Sequence, residues 1–379
     1  MEQRGHLGAL TGLRFFAAAA IVLHHISGRL MPDDSWNAGG SLAQGVSIFF
    51  VLSGFILAYQ YPAVNGPAAA AKFLYARAAK VFPSHLVMLS IWLLVFGFDG
   101  SPFNLFFNLF LLQSWVPSGD TYFAYNSVSW SLSTEMAFYA VFPLLMYRVR
   151  HFWPAYLGFT VFLASVCVRV ANGWALPGYV PGSAAADYLG VVMVNPVARI
   201  FEFCCGIAAS VFFRSRSARL TRSAFSASAL ELCAILLVVF NLTIARETLF
   251  SLLPNWGAAG SFWFGNSLAP ALPAALLIYV LARGEGVISR FLAWRPMRYL
   301  GATSFALYLT HPLVAYLAEV HVDETLALPV FLLASLLGSF LLHELIELPA
   351  QRFLRGARKS SRSPTQGADI PAVPVVQSS

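Results

Sequence analysis

The stretch LTGLRFFAAAAIVLHHI, residues 10–26, is apolar through its middle, with Arg14 near one end and His24 and His25 at the other. A hydrocarbon layer about 30 Å thick takes roughly 20 residues of helix to cross, so this stretch reads as a membrane span carrying ionisable groups. It has no small-residue cleavage pattern and is read as a retained first span rather than a signal peptide. The same template fits 42–61, 84–99, 131–147, 151–170, 194–213, 226–245, 262–282, 300–320 and 328–348. Composition agrees. Of 379 residues, 58% are hydrophobic and 11% charged, against about 25% charged in an average soluble domain; the mean hydropathy is +0.68. These values exclude a soluble globular enzyme, a disordered polypeptide and a disulfide-rich secreted domain.

Charge decides the topology. The segment FNLFFNLFLLQSW, 103–115, is apolar but short for a span. With it left out of the count and the N-terminus cytoplasmic, most of the 24 basic residues fall inside, and the outer loops hold only Arg29 and Arg246, as the positive-inside rule requires. Counting 103–115 as a span would reverse that bias. The sequence therefore predicts an all-α integral membrane protein of about ten transmembrane helices, both termini cytoplasmic, with a re-entrant or interfacial segment near 103–115. Residues 1–355 form the membrane domain, and the Pro/Ser-rich stretch 356–379 reads as a disordered tail. The net charge of +7 is then an orientation signal, and no nucleic-acid partner is expected. Cys167, Cys204, Cys205 and Cys233 lie in apolar stretches without metal-ligand spacing, so no metal site is expected either.

An ionisable residue within a span is a functional candidate by default. Arg14 and His25 are eleven residues apart, about three helical turns, which puts them on one face about 16 Å apart along the axis. Glu135, in WSLSTEMAFYAVFP (130–143), opens the fourth span at the depth predicted for His25. It is expected to accept the imidazole N–H and orient the ring, while Ser131 or Ser133 is suited to cap the helix. Arg199 and Glu202 have the spacing of an ion pair within one helix. His311 precedes Pro312, where a backbone carbonyl is left free. Lys72, Arg77, Lys80 and His85 surround the entry to the third span, as ordinary inside charge or as a phosphate-binding patch. Glu231 has no partner evident in the sequence.

Several of these segments, taken in order, resemble the acyltransferase-3 family of multi-span membrane O-acyltransferases. They are Arg14 with His25; FFVLSGFILA, 49–58; the basic motif at 77–80; WSLSTEMAFYAVFP; Arg199, Glu202, Phe203 and Gly206; GATSFALYLTHP, 301–312; and Ile346 to Arg352. The basic motif departs from the family's Arg-x-x-Arg, reading Arg77-Ala-Ala-Lys80, and Lys cannot make the bidentate phosphate contact that Arg makes. The resemblance implies transfer of an acyl group from cytoplasmic acyl-CoA, acetyl-CoA above all, to a hydroxyl of a glycan or other acceptor. It makes His25 catalytic with Arg14 as its partner. Ser131 and Glu135 belong to the outer end of the site, and Arg14, Arg77 and Lys80 are the donor-binding candidates. Arg199, Glu202 and His311 are expected to line the substrate site. The expected enzyme is an O-acetyltransferase of surface or exported polysaccharide in the bacterial inner membrane. A macrolide-type small-molecule acyltransferase on the same scaffold, and a transporter or flippase of a lipid-linked glycan, are the alternatives. His25 acts either as a base for direct transfer or as an acyl carrier.

Overall fold

The computed structural model describes residues 7–27, 29–31, 41–215, 223–245 and 256–360. Every regular element among them is helical. In chain order they include α1 (Gly8–Ile26), α2 (Gly45–Gln60), α3 (Pro67–Phe96), α4 (Pro102–Leu109), α5 (Trp130–Leu145), α6 (Val149–Gly173), α7 (Pro196–Ser215) and α8 (Ala224–Phe240). Then follow α9 (Gly257–Arg283), interrupted by a π-helical turn, the short α10 (Val287–Leu292), α11 (Arg295–His321) and α12 (Glu324–Leu342). The last runs through another π turn, His343–Glu347, into α13 (Leu348–Ser360), past the predicted start of the tail; the predicted tail residues 361–379 lie outside the described residues.

Eight helices among the described residues are long and apolar enough to cross a membrane. The remaining predicted spans coincide with α5 and α11. With 16 residues, α5 is about 24 Å long, short of a full crossing; α11 has the length but carries Arg295, Arg298, Ser304, Thr310 and His311. The segment near 103–115 does not cross. Its eight-residue helix α4 turns Phe103 and Phe106 outward, as Phe110 just after it is, and buries Asn108, as an interfacial or re-entrant element should. One boundary is corrected: α3 begins at Pro67, not near 84, because the Ala-rich 67–80 is good helix former despite its charges. Arg77 and Lys80, expected in a cytoplasmic loop, therefore project from a helix.

Lipid does not drive helices together, so close backbone packing has to. A Cβ at Gly54 of α2 would collide with the Phe203 carbonyl of α7, and one at Gly206 of α7 with the Val51 carbonyl of α2. These two helices form the centre of the bundle, 67% and 72% buried across their apolar windows, whereas α6 is 17% buried and faces outward. Gly301 of α11 lies equally close to the Thr11 carbonyl of α1. The pairs Arg14–Ser304, His25–His311 and Arg29–Glu319 continue that contact, so α1 and α11 run side by side in parallel.

Candidate functional site

Two cavities flank the face that α1 and α11 share. The first, about 90 Å³, is enclosed by α1, α2, α3, α5 and α11 and contains Arg14, Arg77, Lys80 and Glu135. Arg14 Nε donates to Ser304 Oγ at 3.4 Å, and its guanidinium lies 5.9 Å from the centre of the Phe49 ring. The Arg77 guanidinium rests between Tyr61 and Phe73, 5.6 and 5.8 Å from their ring centres, and its buried Nε has no hydrogen-bond partner. Glu135 Oε1 accepts from Ser53 Oγ at 2.7 Å. No ion pair forms to Arg14, Arg77 or Lys80 among the described residues. Three cations thus face one carboxylate in a confined, largely apolar space. Charge without an ion-pair partner is costly in such a space, and the whole arrangement suits an anion.

The second cavity, about 630 Å³, lies at the other end of α1 and contains His24, His25 and Arg199 among aromatic side chains. His25 Nδ1 and His311 Nε2 are 2.9 Å apart. The ring centres are 5.1 Å apart and the planes differ by 20°, so the imidazoles lie edge to edge, nearly coplanar, along one hydrogen bond. On its far side His311 Nδ1 is 3.2 Å from the Leu307 carbonyl. Arg199 and Glu202 form the expected ion pair: Nε donates to both carboxylate oxygens at 3.0 Å and Nη2 to Oε1 at 2.7 Å. Ser267 Oγ donates to the same carboxylate, while Arg199 also donates to Ser47 Oγ and the Met193 carbonyl. The pair is therefore a fully bonded wall of the cavity, and only Arg199 of the two lines it.

Tyr308 and Val46 line both cavities and stand between them. The Tyr308 and Ser131 hydroxyls are 2.8 Å apart, and each lies 3.0 Å from the Val128 carbonyl. Ser131 thus holds the partition rather than capping α5. Tyr308 had no charge or spacing to mark it in the sequence.

The expected contact between Glu135 and His25 is not made. Trp130, at the start of α5, lines the His25 cavity, and Glu135 sits five residues on, about 7.5 Å further along the helix, in the Arg14 cavity. The patch expected at the entry to α3 also divides. Arg77 and Lys80 join Arg14, but His85 Nε2 bonds the Asn108 carbonyl at 2.8 Å and Lys72 is exposed. Glu231 has a partner that no local pattern reveals: its carboxylate accepts from the Gly286, Ile288 and Ser289 N–H groups, capping α10 from another helix. Among the described residues no three His, Cys, Asp or Glu side chains converge as metal ligands.

The profile of an acyltransferase domain, acyltransferase-3, matches residues 7–344. The chain is 30% identical to the acyltransferase MdmB of Streptomyces mycarofaciens, over 96% of each protein. It is 24% identical over 82% of its length to YrhL of Bacillus subtilis, named as a peptidoglycan O-acetyltransferase, and 21% identical over 92% to the O-acetyltransferase OatA of Staphylococcus aureus. It spans 49% of YrhL and 57% of OatA, about half of each. No solved structure matches.

Proposed function

The chain belongs to the acyltransferase-3 family, and from that premise we propose that it moves an acyl group, acetyl first, from acyl-CoA to a hydroxyl of a surface glycan, with His25 as the base. Family membership makes it an acyltransferase rather than the transporter that intramembrane charges alone would also suit. The observation that carries the donor is the set Arg14, Arg77 and Lys80 without an ion-pairing carboxylate, one thin partition away from His25. Acyl-CoA supplies both parts of the fit: phosphates for the cations and a slender pantetheine arm for the passage. The helix between Arg14 and His25 is about 16 Å long, which an extended arm covers.

In this reading the acceptor enters the His25 cavity. Its aromatic walls, Phe123, Trp130, Tyr179 and Phe262, offer faces for the C–H groups of a sugar ring, and the name of YrhL favours a glycan. His25 Nε2 takes the hydroxyl proton, and the acceptor oxygen attacks the thioester carbonyl. The C–S bond breaks, and the CoA thiolate leaves with the proton from the imidazolium. A positioned base of this kind contributes about 10²–10⁴-fold. Direct transfer needs no acyl-histidine, because donor and acceptor approach His25 from opposite cavities.

The test is transfer from radiolabelled acetyl-CoA by purified protein in lipid, with the base-deacetylated wall fraction of the host as acceptor. Wild-type protein is expected to label it and His25→Ala to lose the activity. Retention of near-wild-type transfer by His25→Ala sinks the assignment, and label trapped on the protein without acceptor would favour the acyl-carrier route.

A further inference from the structure

We infer that His311 is the positioning residue of His25: it sets which nitrogen of the catalytic ring carries the proton. The inference rests on the reading of His25 as the base and goes beyond it by replacing Glu135, the carboxylate that the sequence pattern pointed to.

The hydrogen bonds leave one arrangement. The Leu307 carbonyl can only accept, so His311 Nδ1, 3.2 Å away, carries a hydrogen. No carboxylate ion-pairs with His25 or His311 among the described residues, and an imidazolium without one is costly on a buried ring such as His311 or a half-buried one such as His25, so both rings are neutral. A neutral imidazole has one N–H. His311 Nε2 is therefore an acceptor, and the 2.9 Å contact requires His25 Nδ1 to donate to it. His25 Nε2 is left with its lone pair, and His25 lines the cavity while His311 does not. The chain of contacts runs from the Leu307 carbonyl through His311 to His25 and ends on a base.

The frame around the pair keeps this geometry. His311 is fully buried in α11. The Arg29–Glu319 ion pair joins α1 and α11 just beyond the two rings, and Gly301 against Thr11 joins them below. During transfer His25 Nε2 gains the acceptor's proton and passes it to the departing thiolate. The Nδ1–H bond to His311 persists throughout, so His311 ends each turnover as it began, having held the ring and shared the imidazolium charge.

The experiment compares His311→Gln and His311→Leu, with His25→Ala as control, in the full chain reconstituted in lipid. Donor is radiolabelled acetyl-CoA, and acceptor is the base-deacetylated wall fraction. Gln keeps an acceptor oxygen near the position of His311 Nε2; Leu keeps apolar volume but no acceptor. Positioning predicts that H311Q stays within about fivefold of wild-type kcat while H311L falls about 10²-fold, with KM for acetyl-CoA unchanged in both. A packing role predicts the reverse order, since Leu is the better buried residue, and H311L equal to or better than H311Q overturns the inference. Full activity in His25→Ala overturns the underlying reading instead, whatever the His311 variants do. An independent measurement needs no His311 variant: histidine ¹⁵N NMR of wild-type protein, with the His25 signal assigned by its loss in H25A. A protonated Nδ1 with a bare Nε2 is expected at His25, and the opposite tautomer refutes the assignment.

Discussion

Lys80 shows how a single residue can be wrong for stability and, in the proposed reaction, right for chemistry. Its ammonium shares a cavity with Arg14 and Arg77 and has no ion-pair partner among the described residues. Lys80 is half-buried, and replacing a charge that lacks an ion pair there with an apolar side chain of similar length is expected to be stabilising by up to about 1–4 kcal/mol, the range for buried ion pairs exchanged for hydrophobes. Lys80→Met is therefore expected to raise the melting temperature while raising the KM for acetyl-CoA about tenfold or more, the loss of one charge-assisted hydrogen bond of about 1.5–3 kcal/mol. Thermal unfolding and steady-state kinetics on the same preparation check both halves. A variant that is less stable with an unchanged KM would place the charge elsewhere in the mechanism. Residue by residue, the sequence made part of this site legible. Arg14 and His25 stand out because charge is rare in a span, and their helical spacing does put both against α11, on Ser304 and His311. Glu135 stands out in the sequence as a carboxylate within a span, but its neighbour does not, because depth inferred from loop charge does not resolve one or two helical turns. Tyr308 was invisible, since an uncharged aromatic in an apolar helix looks like packing until the cavities on its two sides are seen.

Helices in this molecule are placed by glycines that other glycines do not resemble. Gly206 abuts the Val51 carbonyl, a backbone atom that cannot swing aside, whereas a Cβ at Gly158 of α6 meets nothing within 4 Å. Gly206→Ala is expected to separate α2 from α7 and destabilise by about 1–3 kcal/mol, the usual cost of overpacking. Gly158→Ala should stabilise by about 0.5–1 kcal/mol through helix propensity alone. Equal effects of the two in a denaturation series would argue against the close α2–α7 crossing. The partition between the cavities is an element-scale device as well: Tyr308 from α11 meets Val46 from α2, held by Ser131 of α5. Tyr308→Ala is expected to join the two spaces and admit longer acyl groups, so the ratio of butyryl to acetyl transfer should rise at least about tenfold, or about 1.4 kcal/mol in differential transition-state binding. Competition between the two donors measures that ratio directly, and an unchanged ratio would mean that the acyl group does not pass Tyr308. Apolar length and charge made most helices readable in advance. They misplace the start of α3 because an Ala-rich segment bearing three cations looks like a loop to any rule that equates charge with water, whereas two of the three, Arg77 and Lys80, line a cavity on its inner face and only Lys72 is exposed.

At the scale of the whole molecule, orientation decides what the two cavities are for. The basic residues sort to one side of the sequence-derived topology, and that side is the one towards which Arg14 lies, while His25 lies at the opposite end of α1. Energetically this is the arrangement that the proposed reaction, with a cytoplasmic thioester and an exported acceptor, calls for: the cations would collect the donor's phosphates on the side where CoA is made, and the aromatic cavity would receive the acceptor on the other. The proposed reaction then needs only the acyl group and the tip of the pantetheine arm to reach His25, with no carrier intermediate and no movement of the glycan across the bilayer. The arrangement makes a prediction independent of catalysis. In a variant with Cys167, Cys204, Cys205 and Cys233 replaced by alanine, a cysteine placed at Tyr179, beside the His25 cavity, should react with a membrane-impermeant maleimide in intact cells. A cysteine at Lys72, on the exposed face of α3 at its N-terminal end, should react only after the membrane is opened. Labelling in the reverse order would turn the molecule over and send acyl-CoA to the aromatic cavity, where Arg199 is already neutralised by Glu202 and offers a phosphate little. In the proposed reaction the charge asymmetry between the cavities, not the loop count alone, therefore ties the direction of the protein in the membrane to the direction of transfer.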